Sequence, residues 1–339
     1  MRAERLAQGA RVRAEPLAPE ARVRVAVVVP NRDGRRWLPG LLTSLRAQTR
    51  PADRIVVVDD GSGDDSVAWL RDEGIEVVER AVTGGFAAAA NAGFATVAGD
   101  CEAVALINTD IVLADDWLAR TVEVLEAVPD AGAVACKMVR MDDQGLIDDA
   151  GDTLRRDGVC EQRGRGHRDD GRFDAPGEVW GACAGAALYR HAAVTGVGGF
   201  EESYDMYLED VDLALRLRLA GWTCRYEPVV ARHAGAGSGA AVGFFVARNT
   251  LLLTVRWFPL RWAPYVAYRQ ASWLADAARR GPGALGGHLR GLAAAMPRLP
   301  GVWRARQGPG GTQRAAMERA VPMRPWHGRS AGGHPGAVE

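Results

Sequence analysis

Residues 207–212 read Tyr-Leu-Glu-Asp-Val-Asp, which places Glu209, Asp210 and Asp212 at the mouth of a Leu/Ala/Arg-rich segment that Gly221 stops. At the first turn of a helix, free N–H groups and the dipole favour carboxylate anions. A carboxylate held there can take a proton from a hydroxyl or neutralise a cation. The cluster alone describes an ordinary helix start equally well. Two more acidic stretches change its weight. Val56-Val57-Val58-Asp59-Asp60-Gly61-Ser62 and Leu106-Ile107-Asn108-Thr109-Asp110 both end apolar runs. Carboxylates at the ends of buried strands are what a metal–nucleotide site needs.

The elements that must position these groups follow from periodicity. The β-branched run Val23–Pro30 predicts a buried strand, and Arg54–Val58, Ile75–Val78, Ala103–Ile107 and Ala133–Val139 predict four more. Helices are expected over Arg36–Ala47, Asp64–Arg71, Phe86–Ala98 and Trp117–Ala127. This alternation implies an α/β fold, a mostly parallel sheet with helices on both faces. Ligands in such sheets sit beyond the carboxyl ends of the strands. Pro30-Asn31, Asp59-Asp60 and Asn108–Asp110 all fall there. Residues 142–176 are Gly-, Asp- and Arg-rich and read as a loop excursion. Leu208–Ala220 is ambiguous. Val211, Leu213, Leu215, Leu217 and Leu219 alternate as in a strand, whereas Leu, Ala and Arg favour a helix that Gly221 would end. Helix is chosen. Thr223–Ala231 then forms a strand leading to His233, which is flanked by Gly235 and Gly237.

Other features have modest local meanings. Thr83-Gly84-Gly85-Phe86 lacks the dinucleotide fingerprint, but its glycines could present N–H groups to phosphate. Asn91 and Gly93 disfavour a helix interior and allow close approach of backbone or ligand. A neutral His233 could complete an oxygen-rich metal site.

The chain has 339 residues, 47% of them apolar, which is enough for a large core. Its net charge is zero but unevenly spread. Residues 244–330 hold 14 Arg, no Lys and only Asp276 and Glu318 as acids. Five of the ten Trp lie there too: Trp257, Trp262, Trp273, Trp303 and Trp326. Arg with Trp suggests interfacial helices on anionic lipid, or a helical subdomain packed on the core with Arg facing water. Five cysteines without a CxxC pair support neither a disulfide framework nor a zinc site. No apolar span of roughly 18 residues exists to suggest a membrane-crossing helix. The expected organisation is a disordered leader over 1–22, a catalytic domain over 23–240, an Arg/Trp-rich helical appendage over 241–307 and a disordered tail over 308–339.

Taken in order, six segments resemble the inverting family-two glycosyltransferases of GT-A fold, in particular the rhamnosyltransferase-like branch. They are Pro30-Asn31, Asp59-Asp60-Gly61-Ser62, Gly85-Phe86 with Asn91-Ala92-Gly93, Asn108-Thr109-Asp110, Gly198-Gly199-Phe200-Glu201-Glu202, and Glu209-Asp210-Val211-Asp212 with Arg216 and Gly221; His233 follows them. The resemblance spans about Val23 to Gly237. It implies a GT-A fold with a C-terminal helical appendage. Donor contacts are implied at Pro30, Asn31, Asp59, Asp60, Gly85, Asn91 and Asn108. Asp110 and His233 would handle Mg²⁺ or Mn²⁺ with the diphosphate, and Asp210 would be the catalytic base. Glu209, Trp180 and Gly181 would lie on the acceptor side. The implied partners are a nucleotide-sugar donor and a glycan or lipid-linked glycan acceptor, with an anionic membrane surface and no nucleic acid. The expected location is peripheral, on the cytoplasmic face of the cell membrane. Two departures stand out: Asn108 where Asp is common, and Glu201 where Asp is usual. Asn108 also favours the rival reading, a non-catalytic nucleotide-sugar-binding or scaffold subunit.

Overall fold

The computed structural model describes residues 22–235, 241–306 and 311–321. The expected leader, apart from Arg22, lies outside the described residues, as does the junction expected near residue 240. The first half alternates strands and helices: β1 (Val25–Asn31), α1 (Leu38–Arg46), β2 (Arg54–Asp59), α2 (Ser66–Asp72), β3 (Glu76–Glu79), α3 (Gly85–Thr96), β4 (Ala103–Ile107), β5 (Ile111–Leu113), α4 (Trp117–Ala127) and β6 (Ala131–Arg140). Short strands β7 (Ile147–Asp149), β8 (Asp152–Leu154), β9 (Cys160–Gln162) and β10 (Gly177–Val179) lie within the stretch read from sequence as loop-rich and just after it. Then come β11 (Ala186–Arg190), α5 (His191–Gly196), α6 (Glu209–Leu219) and β12 (Thr223–His233). Helices α7 (Val242–Trp257), α8 (Ala263–Arg280), α9 (Pro282–Ala295), α10 (Leu299–Ala305) and α11 (Gly311–Ala320) follow.

The central sheet has the order β10-β12-β6-β11-β4-β1-β2-β3. It is parallel from β4 to β3. Beyond β4 it becomes mixed, because β11 runs antiparallel between β4 and β6 while β12 runs parallel to β6. Side-chain alternation along β1 feeds both faces. Ala26 and Val28 join one core with α3, α5 and α6, and Val25, Val27 and Val29 join the other with α1, α2 and α4. The ladder with β4 ends at Val28, two residues before Pro30, which lacks the N–H to extend it. Gly93 is explained by packing: a Cβ there would sit 2.2 Å from Cγ1 of Val28, so α3 rests directly on β1.

Helix α6 resolves the ambiguous alternation. Leu213 and Leu217, one turn apart, enter the sheet-side core, whereas Val211, Ala214 and Leu215 enter a separate core beneath α7 and α11. A helix buried on two opposite faces can mimic a period of two. Asp212, fully buried, accepts a 2.6 Å bond from Arg216 Nε and another from Trp257 Nε1. Arg216 also donates to the carbonyls of Val197 and Gly199.

The C-terminal helices depart from one expectation and, for the Trp residues, follow one of the two readings left open, packing on the core. First, the tail expected to be disordered contains α11, whose Met317 and Ala320 are buried, with Val321 just after it; the Trp180 indole N–H donates to the Ala320 carbonyl. Second, Trp257, Trp262 and Trp273 do not face outwards. Trp262 and Trp273 are 2% and 7% exposed, and Trp257 bonds Asp212, because their indoles fill the seam between appendage and core. Trp326 lies outside the described residues. Arg248, Arg256 and Arg269 likewise pair with Asp205, Glu201 and Asp157 of the preceding domain.

Candidate active site

Strand ends, helix starts and loops from many parts of the chain open into one cleft of about 670 Å³. Its walls include Pro30 and Asn31 from β1, Asp60 after β2, Gly85 at the start of α3, and Asn108 to Asp110 after β4. Asp148 from β7, Asp152 from β8, Glu209 and Asp210 from α6, and His233 from β12 add to the polar lining. Asp60, Asp110 and Asp210, spread over 150 positions of the chain, therefore face a single space.

The β1–β2 edge forms one end. Asn31 is buried, and its amide donates to Asp59 Oδ1 at 2.7 Å and to the hydroxyls of Ser62 and Ser66. Its Oδ1 is buried without a hydrogen-bond partner. Asp59 does not line the cleft. It accepts from Asn31 and from the Gly61 and Ser62 amides, and so shapes the turn. Asp60 pairs with Arg80 and accepts from the Gly84 and Gly85 amides at 3.0 and 2.8 Å. The N–H groups expected to meet phosphate are thus engaged by a carboxylate, which fixes the mouth of α3.

Asn91 also departs from expectation. It lies outside the cleft, bonding the Phe200 N–H and carbonyl at 2.7 and 2.9 Å and the Glu202 carboxylate. It ties α3 to the Gly198–Glu202 turn. Trp180 and Gly181 are displaced too. Both are buried beneath α6, where a Cβ on Gly181 would lie 2.9 Å from Cβ of Ala214. They pack α6, which carries Asp210, and contribute no surface to the cleft. Glu201 faces away as well, paired with Arg256.

At the centre, His233 Nε2 stands 3.4 Å from Asp110 Oδ2, and Nδ1 stands 2.6 Å from Asp148 Oδ2. Burial disfavours the imidazolium, but the two carboxylates outweigh it and push His233 up to about 10. Asp148 is held below the usual carboxylate range, its burial being outweighed by His233. Asp148 was missed from sequence, since it sits in the segment read as loop. Its signal was Leu146-Ile147-Asp148-Asp149-Ala150, apolar residues flanking paired acids as at the other strand ends. Arg165, also on the cleft wall, was missed for the same reason.

Glu209 and Asp210 line the same cleft. Asp210 Oδ2 accepts from the Ala184 amide at 3.2 Å and Oδ1 from Val211 at 2.8 Å. Withdrawal from bulk water pushes its carboxyl above the ordinary range despite those N–H groups. Burial and the neighbouring Asp210 push Glu209 well up as well. An acid raised towards working pH is better matched to proton abstraction than a fully solvated one.

The donor set fits a divalent cation. The imidazolium donates to both carboxylates; a cation that replaced its Nε2 proton would leave Nδ1–H on Asp148 and find the freed Nε2 beside Asp110, the histidine–carboxylate pairing that metal sites use. Among the described residues no three His, Cys, Asp or Glu side chains converge as a ready cage. A cation bound by Asp110 and His233 would draw its other oxygens from the substrate.

Comparison with known proteins bears on the family and the fold. The profile of glycosyl transferase family 2 matches residues 26–197, just over half of the chain. The pre-mycofactocin glycosyltransferase of Mycobacterium tuberculosis is 33% identical over 214 residues, covering 60% of this chain and 41% of that protein. The N-acetylglucosaminyl-diphospho-decaprenol L-rhamnosyltransferase of the same species is 50% identical over 52 residues, 15% of this chain and 16% of that one. The chain spans less than half the length of the curated relatives it matches. Among solved structures, GalNAc-T7 with UDP, GalNAc and Mn²⁺ superposes with a TM-score of 0.60 at 12% identity, covering 83% of this chain and 57% of that one.

Proposed function

The chain belongs to glycosyl transferase family 2 and has the GT-A fold, and we propose that it moves a sugar, with inversion, from a nucleoside diphosphate to an acceptor hydroxyl. The observation that carries this is the convergence of Asp60, Asp110, His233 and Asp210 on one cleft. The nucleoside sits at the Pro30–Asn31 and Asp60 end, with Asn108 beside it. The diphosphate reaches Asp110 and His233, and a divalent metal held there would neutralise the charge that develops on the leaving group.

The protein's own residues account for the rest. The acceptor oxygen attacks the anomeric carbon from the face opposite the diphosphate, and the breaking C–O bond leaves its electron pair on the diphosphate. Asp210 receives the hydroxyl proton as the new bond forms. A transition state of oxocarbenium character is expected by analogy with glycosidases. Asp148 orients His233. Replacing Asp148 with Ala should lower Mn²⁺ affinity in the presence of nucleoside diphosphate by about 10–100-fold, measured by Mn²⁺ titration. An unchanged affinity would remove His233 from the metal site.

Rhamnose is the proposed sugar and a lipid-linked glycan the proposed acceptor class. The sequence resemblance and the short match to a rhamnosyltransferase support both. No helix among the described residues is long and apolar enough to cross a membrane. Six of the eight large apolar side chains found exposed among the described residues lie between Leu260 and Trp303: Leu260, Tyr265, Tyr268, Leu289, Met296 and Trp303. They support a peripheral contact with anionic lipid through α8 to α10. The protein should float with anionic vesicles and not with zwitterionic ones; failure with both would discard the membrane contact. The function itself is tested by offering a panel of nucleotide sugars and acceptors with Mg²⁺ or Mn²⁺. Nucleoside diphosphate release and an inverted anomeric signal in the product are expected. Retention of configuration would refute the mechanism.

A further inference from the structure

We infer that Asn249 is a positioning residue for Asp210, holding from α7 the left-handed turn that delivers this carboxylate to the cleft. The inference rests on Asp210 acting as the base. Three non-glycine residues just before the acidic cluster have positive φ: Asp205 at 59°, Tyr207 at 68° and Leu208 at 69°. Side chains with a Cβ disfavour this region, and a turn carrying three of them persists only where its surroundings impose it. Leu208 is the residue immediately before α6, so its conformation sets where Glu209 and Asp210 begin.

The imposing group is Asn249. It is fully buried, and its amide nitrogen lies 3.0, 2.9 and 2.7 Å from the carbonyl oxygens of Tyr204, Met206 and Tyr207. Two amide hydrogens are thus shared among three carbonyls of one turn. The Asn249 carbonyl oxygen accepts from Arg248 Nε at 2.8 Å, which fixes the orientation of the amide. Arg248, 3% exposed, reaches Asp205 Oδ2 at 2.8 Å. The far side of the turn leans on α3: the Asp205 carbonyl accepts from the Ala87 amide, and a Cβ on Gly85 would come within 2.8 Å of it. The turn is clamped between the helix entering the appendage and the glycine at the donor end. Asn249 bonds none of the nucleotide-end residues, so its effect should appear in turnover and not in donor binding.

The test compares Asn249→Ala and Asn249→Asp with the intact chain, reading kcat, donor affinity and amide hydrogen exchange over 204–210. Aspartate has the same shape but no N–H to give. Both variants should lose about 10–100-fold in kcat, keep wild-type affinity for nucleoside diphosphate with Mn²⁺, and exchange faster in the turn. Glycine adopts positive φ without penalty. In a Leu208→Gly background, Asn249→Ala should therefore cost much less than it does alone. Loss of donor affinity in step with kcat, or an equal loss in the glycine background, would reduce Asn249 to a general packing role and overturn the inference. Asp210→Asn separates the two readings. If it turns over at the wild-type rate, the base assignment falls and this inference with it. If it is inactive while Asn249→Ala is unimpaired, only this inference falls.

Discussion

An Asp210→Asn enzyme is expected to bind donor as the wild type does and to turn over about 10²–10⁴-fold more slowly. The amide keeps the shape of the side chain but cannot take the acceptor proton. Donor affinity should hold because Asp210 is not among the residues proposed to hold the nucleotide or the metal. Folding should not suffer either. The carboxyl of Asp210 is raised in the folded protein, so its charged form is disfavoured there relative to the unfolded chain. Stability contributed by a raised carboxyl is present at low pH and lost as pH rises through its folded value. Compared with the asparagine variant, the wild type should therefore become relatively less stable as pH climbs above the ordinary carboxylate range. Parallel urea titrations at several pH values check the sign. Steady-state kinetics with a confirmed acceptor check the rate, and retained turnover would remove Asp210 from the chemistry.

Asp212, two residues on, should behave in the opposite way. It is fully buried and accepts from Arg216 and Trp257, with Tyr204 Oη at 3.4 Å. Asp212→Ala would leave the Arg216 guanidinium in a dry site without its counter-charge, a loss of about 3–5 kcal/mol. Asp212→Asn keeps an acceptor for Trp257 and should cost less. The midpoint of urea unfolding reads the difference directly. A midpoint within error of wild type for Asp212→Ala would mean that the α6–α7 seam does not depend on this charge network.

These two residues show what sequence could and could not reveal. The carboxylates of 207–212 look alike in a string of letters, yet one faces substrate space and another is a buried strut. Only the partners distinguish them, and Trp257, which bonds Asp212 from α7, is remote in sequence. The strands and the ends that carry Asn31, Asp60 and Asp110 were legible because β-branched runs followed by polar residues report burial and termination together. Asn91, Trp180 and Gly181 were misplaced for one reason: each stands in a recognisable segment, but segment membership does not say which way a side chain points. Asn91 turns to the Phe200 backbone, and Trp180 turns under α6. Asp148 and Arg165 were hidden because short strands such as β7 and β9 carry too few residues to display a period. The Trp residues of the appendage suggested lipid by composition, and burial of Trp262 and Trp273 shows that composition cannot separate an interface with lipid from one with the protein's own core.

The central claim is that one cleft holds one metal–diphosphate between Asp110 and His233, with the base standing apart. The most direct test is an electron paramagnetic resonance titration of Mn²⁺ with and without nucleoside diphosphate on wild type, Asp110→Asn and Asp210→Asn. The account predicts that nucleotide tightens Mn²⁺ binding in wild type and in Asp210→Asn, and that Asp110→Asn loses the gain. Equal tightening in all three proteins, or its loss in Asp210→Asn alone, would contradict it.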